Sequence, residues 1–183
     1  LSASTADSAL RINAGVENIV VGESLALHKT NITASVANNT IDYSLNIKDK
    51  TESERYTVKG LLQQSQNGSY QFSIKPEDLL LNYKDWTISA DNKITVADEG
   101  VHAEHFVLSR EKQQLSINST SAAANAPLEI GFSNFSIATL AGFVQPDSTL
   151  ADGTLDGSIT VSNLTQQPVF VGDLSIHDLS IKK

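Results

Sequence analysis

His102 and His105, set in HAEH, are the first residues whose type and spacing invite chemistry. A zinc-protease motif places its histidines at i and i+4 on a helix. On a regular strand, residues three apart face opposite sides, and no third ligand accompanies this pair. The stretch DGTLDGSITVSN (152–163) puts Asp152, Asp156 and Gly157 at positions 1, 5 and 6 of a calcium loop. Position 12, where such a loop needs a bidentate Glu, is Asn163. The carboxylate pairs Glu77-Asp78 and Asp98-Glu99 fall in turn-like contexts, whereas acid/base catalysis needs one carboxyl in an apolar site. No serine stands in a G-x-S-x-G elbow and no glycine-rich phosphate loop is present. These residues point to a protein that is not an enzyme and carries no catalytic residues, no metal and no cofactor. Six N-x-S/T sequons, at Asn31, Asn38, Asn67, Asn118, Asn134 and Asn163, read as strand and turn composition rather than as glycan acceptors.

The elements that position side chains must therefore carry the function. The chain has 183 residues, 40% of them apolar and only 19% charged. Ser and Thr number 36 and Asn 13, a composition that suits turns and solvated strand faces. The net charge is −8, and the 13 Lys and Arg residues form no run longer than Lys182-Lys183. Phosphate binding rests on such residues, so nucleic acid and anionic membrane surfaces are excluded as electrostatic targets. Absence of Cys removes disulfide scaffolds, zinc ribbons and thiol catalysis. The longest apolar stretches, such as 140–144, fall far short of the roughly 20 residues that span a bilayer. The chain has no Met and opens on Leu1 with no signal-like segment. It is read as one β-rich segment, 1–183, of a longer protein.

Period 2 dominates. Ile41, Tyr43, Leu45 and Ile47 alternate with Asp42, Ser44, Asn46 and Lys48, the pattern of a half-buried strand. The pattern recurs with Tyr56, Val58 and Leu62, then Tyr70, Phe72 and Ile74, Trp86, Ile88 and Ala90, and Ile94 and Val96. Further on it recurs with Leu115 and Ile117, Leu128, Ile130 and Phe132, Leu155, Ile159 and Val161, and Phe170, Leu174 and Ile176. The first forty residues alternate more weakly, through Leu10, Ile12, Ala14 and Val16, then Leu25 and Leu27, then Ile32, Ala34 and Val36. Turn signals fall at Asn38-Asn39, Asn67-Gly68, Asp91-Asn92, Glu99-Gly100 and Asp152-Gly153. Asn-Gly between alternating runs predicts a hairpin over 63–72. Short links favour an antiparallel meander, since parallel strands need long crossovers. One segment, 133–146, spaces Phe135, Leu140 and Phe143 as a short helix closed by Pro146. Phase breaks near His105 and His177 predict β-bulges.

The expected fold is all-β: an elongated antiparallel curved sheet with at most one short helix near 135–144. Strands apolar on one face must bury that face against something. The alternatives are a closed sandwich or barrel core and an open sheet whose apolar face receives acyl chains, and strand phase alone favours the closed form.

Residues 79–183 shift that balance. They contain a W-x-I strand (Trp86, Ile88), NKITV (92–96), HFVLSREKQQLSINS (105–119), PLEIGFSNFSIATLAGF (127–143), then GTLDGSITV (153–161), Pro168 and DLSIHDLSI (173–181). Gly153, Leu155, Gly157, Val161, Pro168, Gly172, Leu174 and Ile176 follow in order the pattern G-x-L-x-G-x-x-x-V … P-x-x-x-G-x-L-x-I. In this the segment resembles the C-terminal region of the TamB family, the AsmA-like translocation and assembly module subunits. The glycines would permit tight turns or close strand stacking, and Pro168 would open a strand or lie at its edge. The resemblance implies a β-taco with a hydrophobic groove in a periplasmic protein anchored to the inner membrane. It also implies phospholipid movement between the membranes, support of outer-membrane protein assembly, and a BamA/TamA-like outer-membrane partner.

On that reading the groove lining is Ile41, Tyr43, Leu45, Tyr56, Val58, Phe72, Ile74, Trp86, Ile88, Leu115, Ile117, Leu128, Ile130, Phe132, Ile159 and Val161. The ligand is a phospholipid or other acyl chain. Unpaired strand edges predict self-association. The competing reading is a closed β-sandwich that binds glycan or protein.

Overall fold

The structure is a computed structural model and describes residues 1–6, 9–21, 25–144 and 151–181. The chain divides into two compact units, Leu1–Trp86 and Thr87–Lys183. Both are built from antiparallel strands in sheets that do not close, and among the described residues there is one short helix.

In the first unit, β1 (Ser2–Ala6), β2 (Ala9–Val21), β3 (Leu25–Ala37), β4 (Thr40–Lys48) and β5 (Glu54–Gln64) pair in chain order. Beyond β5, β6 (Tyr70–Ile74) pairs with its second half, and β7 (Leu80–Leu81), itself paired to β8 (Lys84–Asp85), with its first. The local chemistry explains the meander. Asn38 and Asn39 both take positive φ (49° and 57°), the type I′ geometry that Asn tolerates and that matches strand twist. Gly68, at φ 84°, completes the predicted turn between β5 and β6, where Gln63 pairs with Gln71.

The second unit holds the hairpin β10 (Lys93–Ala97) and β11 (Gly100–Glu104), and a sheet ordered β16-β15-β14-β13-β12-β9. Its strands are β9 (Thr87–Ile88), β12 (Phe106–Arg110), β13 (Gln113–Ser119), β14 (Leu128–Ser136), β15 (Ala151–Ser162) and β16 (Val169–Ile181). Helix α1 (Ile137–Val144) follows β14 directly. Ser136 caps it: its Oγ accepts the Thr139 N–H at 3.2 Å, satisfying one of the free donors of the first turn. Pro146, expected to close the helix, lies outside the described residues.

Three expectations are corrected. The alternating run from Trp86 to Ala90 is not one strand: β8 ends before Trp86, β9 holds only Thr87 and Ile88, and the boundary between units falls after Trp86. Trp86 is buried and its N–H donates to the Leu79 carbonyl at 2.9 Å, so burial and a turn-like bond outweigh strand phase there. Asp152-Gly153 is not a turn but lies inside β15; Gly153 instead faces a bulge in β16, where Asp178 takes φ 52°. That bulge is the phase break foreseen at His177. The break at His105 is not a bulge within one strand. His105 adopts φ 51° at a bend that ends β11 and starts β12, and the two strands pair with different partners.

Candidate functional site

Residues directly opposite one another in an antiparallel ladder point to the same face. Following such partners across the first unit gives apolar rows. Leu10, Val36, Ile41, Leu62 and Phe72 form one, and Ile12, Ala34, Tyr43, Gly60 and Ile74 a second. Ala14, Ile32, Leu45 and Val58 form a third, and Ile47, Tyr56 and Leu81 a fourth. The opposite face carries Arg11, Asn13, Thr33, Ser35, Asp42, Ser44, Lys59 and Ser73, with Leu61 between Asp42 and Ser73.

The second unit repeats the arrangement. Ile88, Leu108, Leu115, Phe132, Gly157 and Leu174 form one row. Phe106, Ile117, Ile130, Ile159 and Gly172 form the next, followed by Leu128, Val161 and Phe170. Gln114, Ser116, Asn118, Glu129, Ser158 and Thr160 take the other face, together with Val107, Val169 and Val171. Thus Ile41, Tyr43, Leu45, Tyr56, Val58, Phe72 and Ile74 share one face within the first unit. Ile88, Leu115, Ile117, Leu128, Ile130, Phe132, Ile159 and Val161 share one within the second. Trp86 belongs to neither row set.

These faces are only partly covered. Ile88, Leu128 and Val161 are buried, whereas Tyr43, Leu45, Val58, Leu115, Ile117, Ile130, Phe132 and Ile159 are half-buried. Phe72 and Ile32 remain 40% and 43% exposed. A single closed core would bury most such side chains, because burying each is worth about 1.5–3 kcal/mol. Tyr43 is the polar exception: burial pushes its phenol pKa up. Its ring occupies the space left by the missing side chain of Gly60, where an added Cβ would meet the Tyr43 ring and hydroxyl.

The family-pattern residues are placed by contact rather than by turns. Gly153 and Gly157 lie inside β15 at φ 135° and 116°, with the backbone of β16 directly against them. Gly172 packs against Ile159, and Pro168 immediately precedes β16, where its missing N–H disrupts no ladder bond.

The residues considered for chemistry do not converge. Among the described residues, no group of three or more His, Asp or Glu side chains is placed to hold a metal. His102 Nε2 lies 3.6 Å from Glu104, while His105 Nδ1 lies 2.6 Å from Asp91. Asp152 and Asp156 sit on an extended strand, not a loop. Asp78 is paired with Lys59 at 2.6 Å, and the Asp98-Glu99 pair joins β10 to β11.

One polar cluster carries no signal in the sequence, because Tyr83 lies 34 residues from Asp49. Asp49 Oδ2 accepts the Tyr83 hydroxyl at 2.7 Å, and its Oδ1 accepts the Thr51 and Ser53 N–H groups at 2.8 and 3.0 Å. Arg55 stacks on Tyr56 and Tyr83, 5.7 and 5.3 Å from the ring centroids. Tyr83 itself takes φ 65°, uncommon for a non-glycine residue, and its backbone N–H donates to the Arg55 carbonyl at 3.0 Å. The Tyr83 hydroxyl, followed by Thr51, lowers the Asp49 pKa to about 2. A depressed carboxyl contributes stability that is present above its unfolded pKa and lost as pH falls through the folded value. Asp49→Asn should therefore lower the melting temperature at pH 6, with the difference from the parent chain shrinking between about pH 4 and pH 2. A pH-independent difference in calorimetry would refute this role.

No α-helix among the described residues is long and apolar enough to cross a membrane. What the chain offers for function is a half-exposed apolar face on each open sheet. Comparison of the chain with family models, with curated proteins and with solved structures finds no match.

Proposed function

We propose that this chain is a non-enzymatic, TamB-like segment whose apolar sheet faces shield lipid acyl chains in the periplasm. There it would be part of an inner-membrane-anchored protein that moves phospholipid toward the outer membrane and supports outer-membrane protein assembly with a BamA/TamA-like partner. The observation that carries this reading is the pairing register. It aligns large aliphatic and aromatic residues on one face of each open sheet, while the other is mostly polar and charged and carries only a few apolar residues, among them Leu61, Val107, Val169 and Val171. A lipid tail laid along such a face gains about 0.8 kcal/mol per methylene removed from water, and its head group stays solvated at the rim. No titrating group at the site is needed.

The test is binding of a fluorescent fatty acid, together with mass spectrometry of organic extracts of the purified chain. Ile130→Glu or Ile159→Glu places a carboxylate in mid-face and is expected to weaken binding by about tenfold or more, since an unpaired charge against a lipid tail is costly. Gln114→Glu adds the same carboxylate to the opposite face of β13 and is expected to leave binding unchanged. Absence of extracted lipid, together with equal binding by all three variants, would overturn the proposal. Capture of soluble glycan instead would favour the β-sandwich-type binding module.

A further inference from the structure

Three glycines of the chain follow an Asn or Asp: Gly68 after Asn67, Gly153 after Asp152 and Gly157 after Asp156. Such a pair permits an internal reaction, in which the glycine nitrogen attacks the side-chain carbonyl carbon of the residue before it. No Cβ shields that nitrogen. The fold separates the three sites. Gly153 and Gly157 lie inside β15, with the backbone of β16 against each, and the groups before them are carboxylates, whose charge makes them poor electrophiles. Asn67 and Gly68 are exposed at the tip of the β5–β6 hairpin, and nothing lies within 4 Å of the place where a Gly68 Cβ would stand. The Gly68 N–H donates to the Ser65 carbonyl at 3.0 Å, a turn bond at the end of the ladder, and such tips open at small free-energy cost.

The Asn67 side chain is held in a reactive arrangement. Its Oδ1 accepts two hydrogen bonds from Ser69, from the backbone N–H at 3.2 Å and from Oγ at 2.8 Å. A bond from a side chain to the backbone two residues on is an Asx turn, and it folds the side-chain carbonyl back over the Gly68 peptide. It also sets two donors on the oxygen that becomes negative when Cγ is attacked, which stabilises a tetrahedral intermediate. Ser69 itself is buried. Asn118, followed by the small Ser119, lacks this arrangement: both lie within β13, paired with Glu129 and Leu128.

We propose that Asn67 is a self-modification site, where the hairpin turn promotes deamidation through a succinimide. The Gly68 nitrogen loses its proton to solvent base and bonds to Asn67 Cγ. The Cγ–Nδ2 bond breaks, and Nδ2 takes up a proton and leaves as ammonia. Water then opens the five-membered ring at either carbonyl, giving aspartate or isoaspartate. The sum is one water consumed and one ammonia released, with no oxidant and no cofactor. Either product adds a negative charge at the tip. Isoaspartate also adds a methylene to the main chain inside the turn, which breaks the bond from Gly68 to Ser65 and loosens β6.

The test holds the purified whole chain in mildly alkaline buffer at physiological temperature and follows it by peptide mass spectrometry, with isoaspartyl methyltransferase labelling to identify isoaspartate. Conversion is expected at Asn67, with Asn118, Asp152 and Asp156 unchanged. Ser69→Ala removes the Oγ donor and should slow the reaction about three- to tenfold, the worth of one hydrogen bond. In urea, where that contact is gone, the two chains should react alike. Asn67→Asp supplies the charge without the extra methylene, and it should keep the amide protection of β6 that the isoaspartyl chain loses. No conversion at Asn67, conversion at Asn118 just as fast, an equal or faster reaction in folded Ser69→Ala, or an isoaspartyl chain with β6 still protected would overturn the proposal. Neither lipid nor a partner takes part, so the result is independent of the reading of the apolar faces.

Discussion

Phe135→Ala is expected to destabilise the second unit by about 3–5 kcal/mol, the cost of emptying a well-packed aromatic site. Phe135 is the largest fully buried side chain described, with no exposed surface. Its ring meets Phe132 edge-on at 5.8 Å, and it lies opposite Leu155, which is also buried. The bulge between Phe132 and Phe135 makes this possible. It inserts Asn134 at φ 45°, whose N–H donates to Asp156 at 2.8 Å, and so returns Phe135 to the apolar face two residues before α1. Truncation therefore removes packing where strand, bulge and helix meet, and neighbours on a sheet cannot easily collapse into the void. Urea unfolding followed by circular dichroism is the measurement. Phe135→Leu, which keeps most of the volume, should retain the larger part of the stability. A loss below about 1 kcal/mol for the alanine variant would show that the site repacks.

Gly157→Ala is expected to release β16 while leaving the rest of the unit folded. Gly157 sits at φ 116°, where a side chain costs about 1–3 kcal/mol in backbone strain alone. The added Cβ would also drive into the Asp173 carbonyl and lie 3.1 Å from the Leu174 Cα. Both atoms belong to backbone, so no side-chain rotation relieves the contact. Because β16 pairs with β15 alone among the described residues, the loss is local: its amides should exchange much faster while those of β13 and β14 keep their protection. Unchanged exchange in β16 would show that the pair accommodates the added methyl without loosening and would refute this role of Gly157.

Much of the strand pattern was legible because it is local. Alternation in TIDYSLNIKD yields β4, and Asn38-Asn39 and Asn67-Gly68 yield its neighbouring turns, since both depend only on residues adjacent in the chain. The weaker alternation of the first forty residues also proves real, in β2 and β3, whose rows line up with Ile41, Tyr43 and Leu45. Trp86 was misplaced because a spacing of two to Ile88 cannot reveal that a buried indole sits at a break between units. Asp152-Gly153 was misplaced because the same dipeptide that favours a turn also permits a strand to press its backbone against a neighbour. The link of Asp49, Tyr83 and Arg55 was illegible altogether, as it depends on where β7 and β8 return against β5.

Composition and period by themselves determined that the chain is all-β, antiparallel and apolar on one side of most strands, because side-chain direction in a strand has a period of two residues. Whether those one-sided strands would meet as a closed core or remain partly open could not follow from that period, which is the same in both cases. Tertiary structure decided it: the register aligns the apolar residues into rows, neither sheet closes on itself among the described residues, and most of the lining stays half-buried.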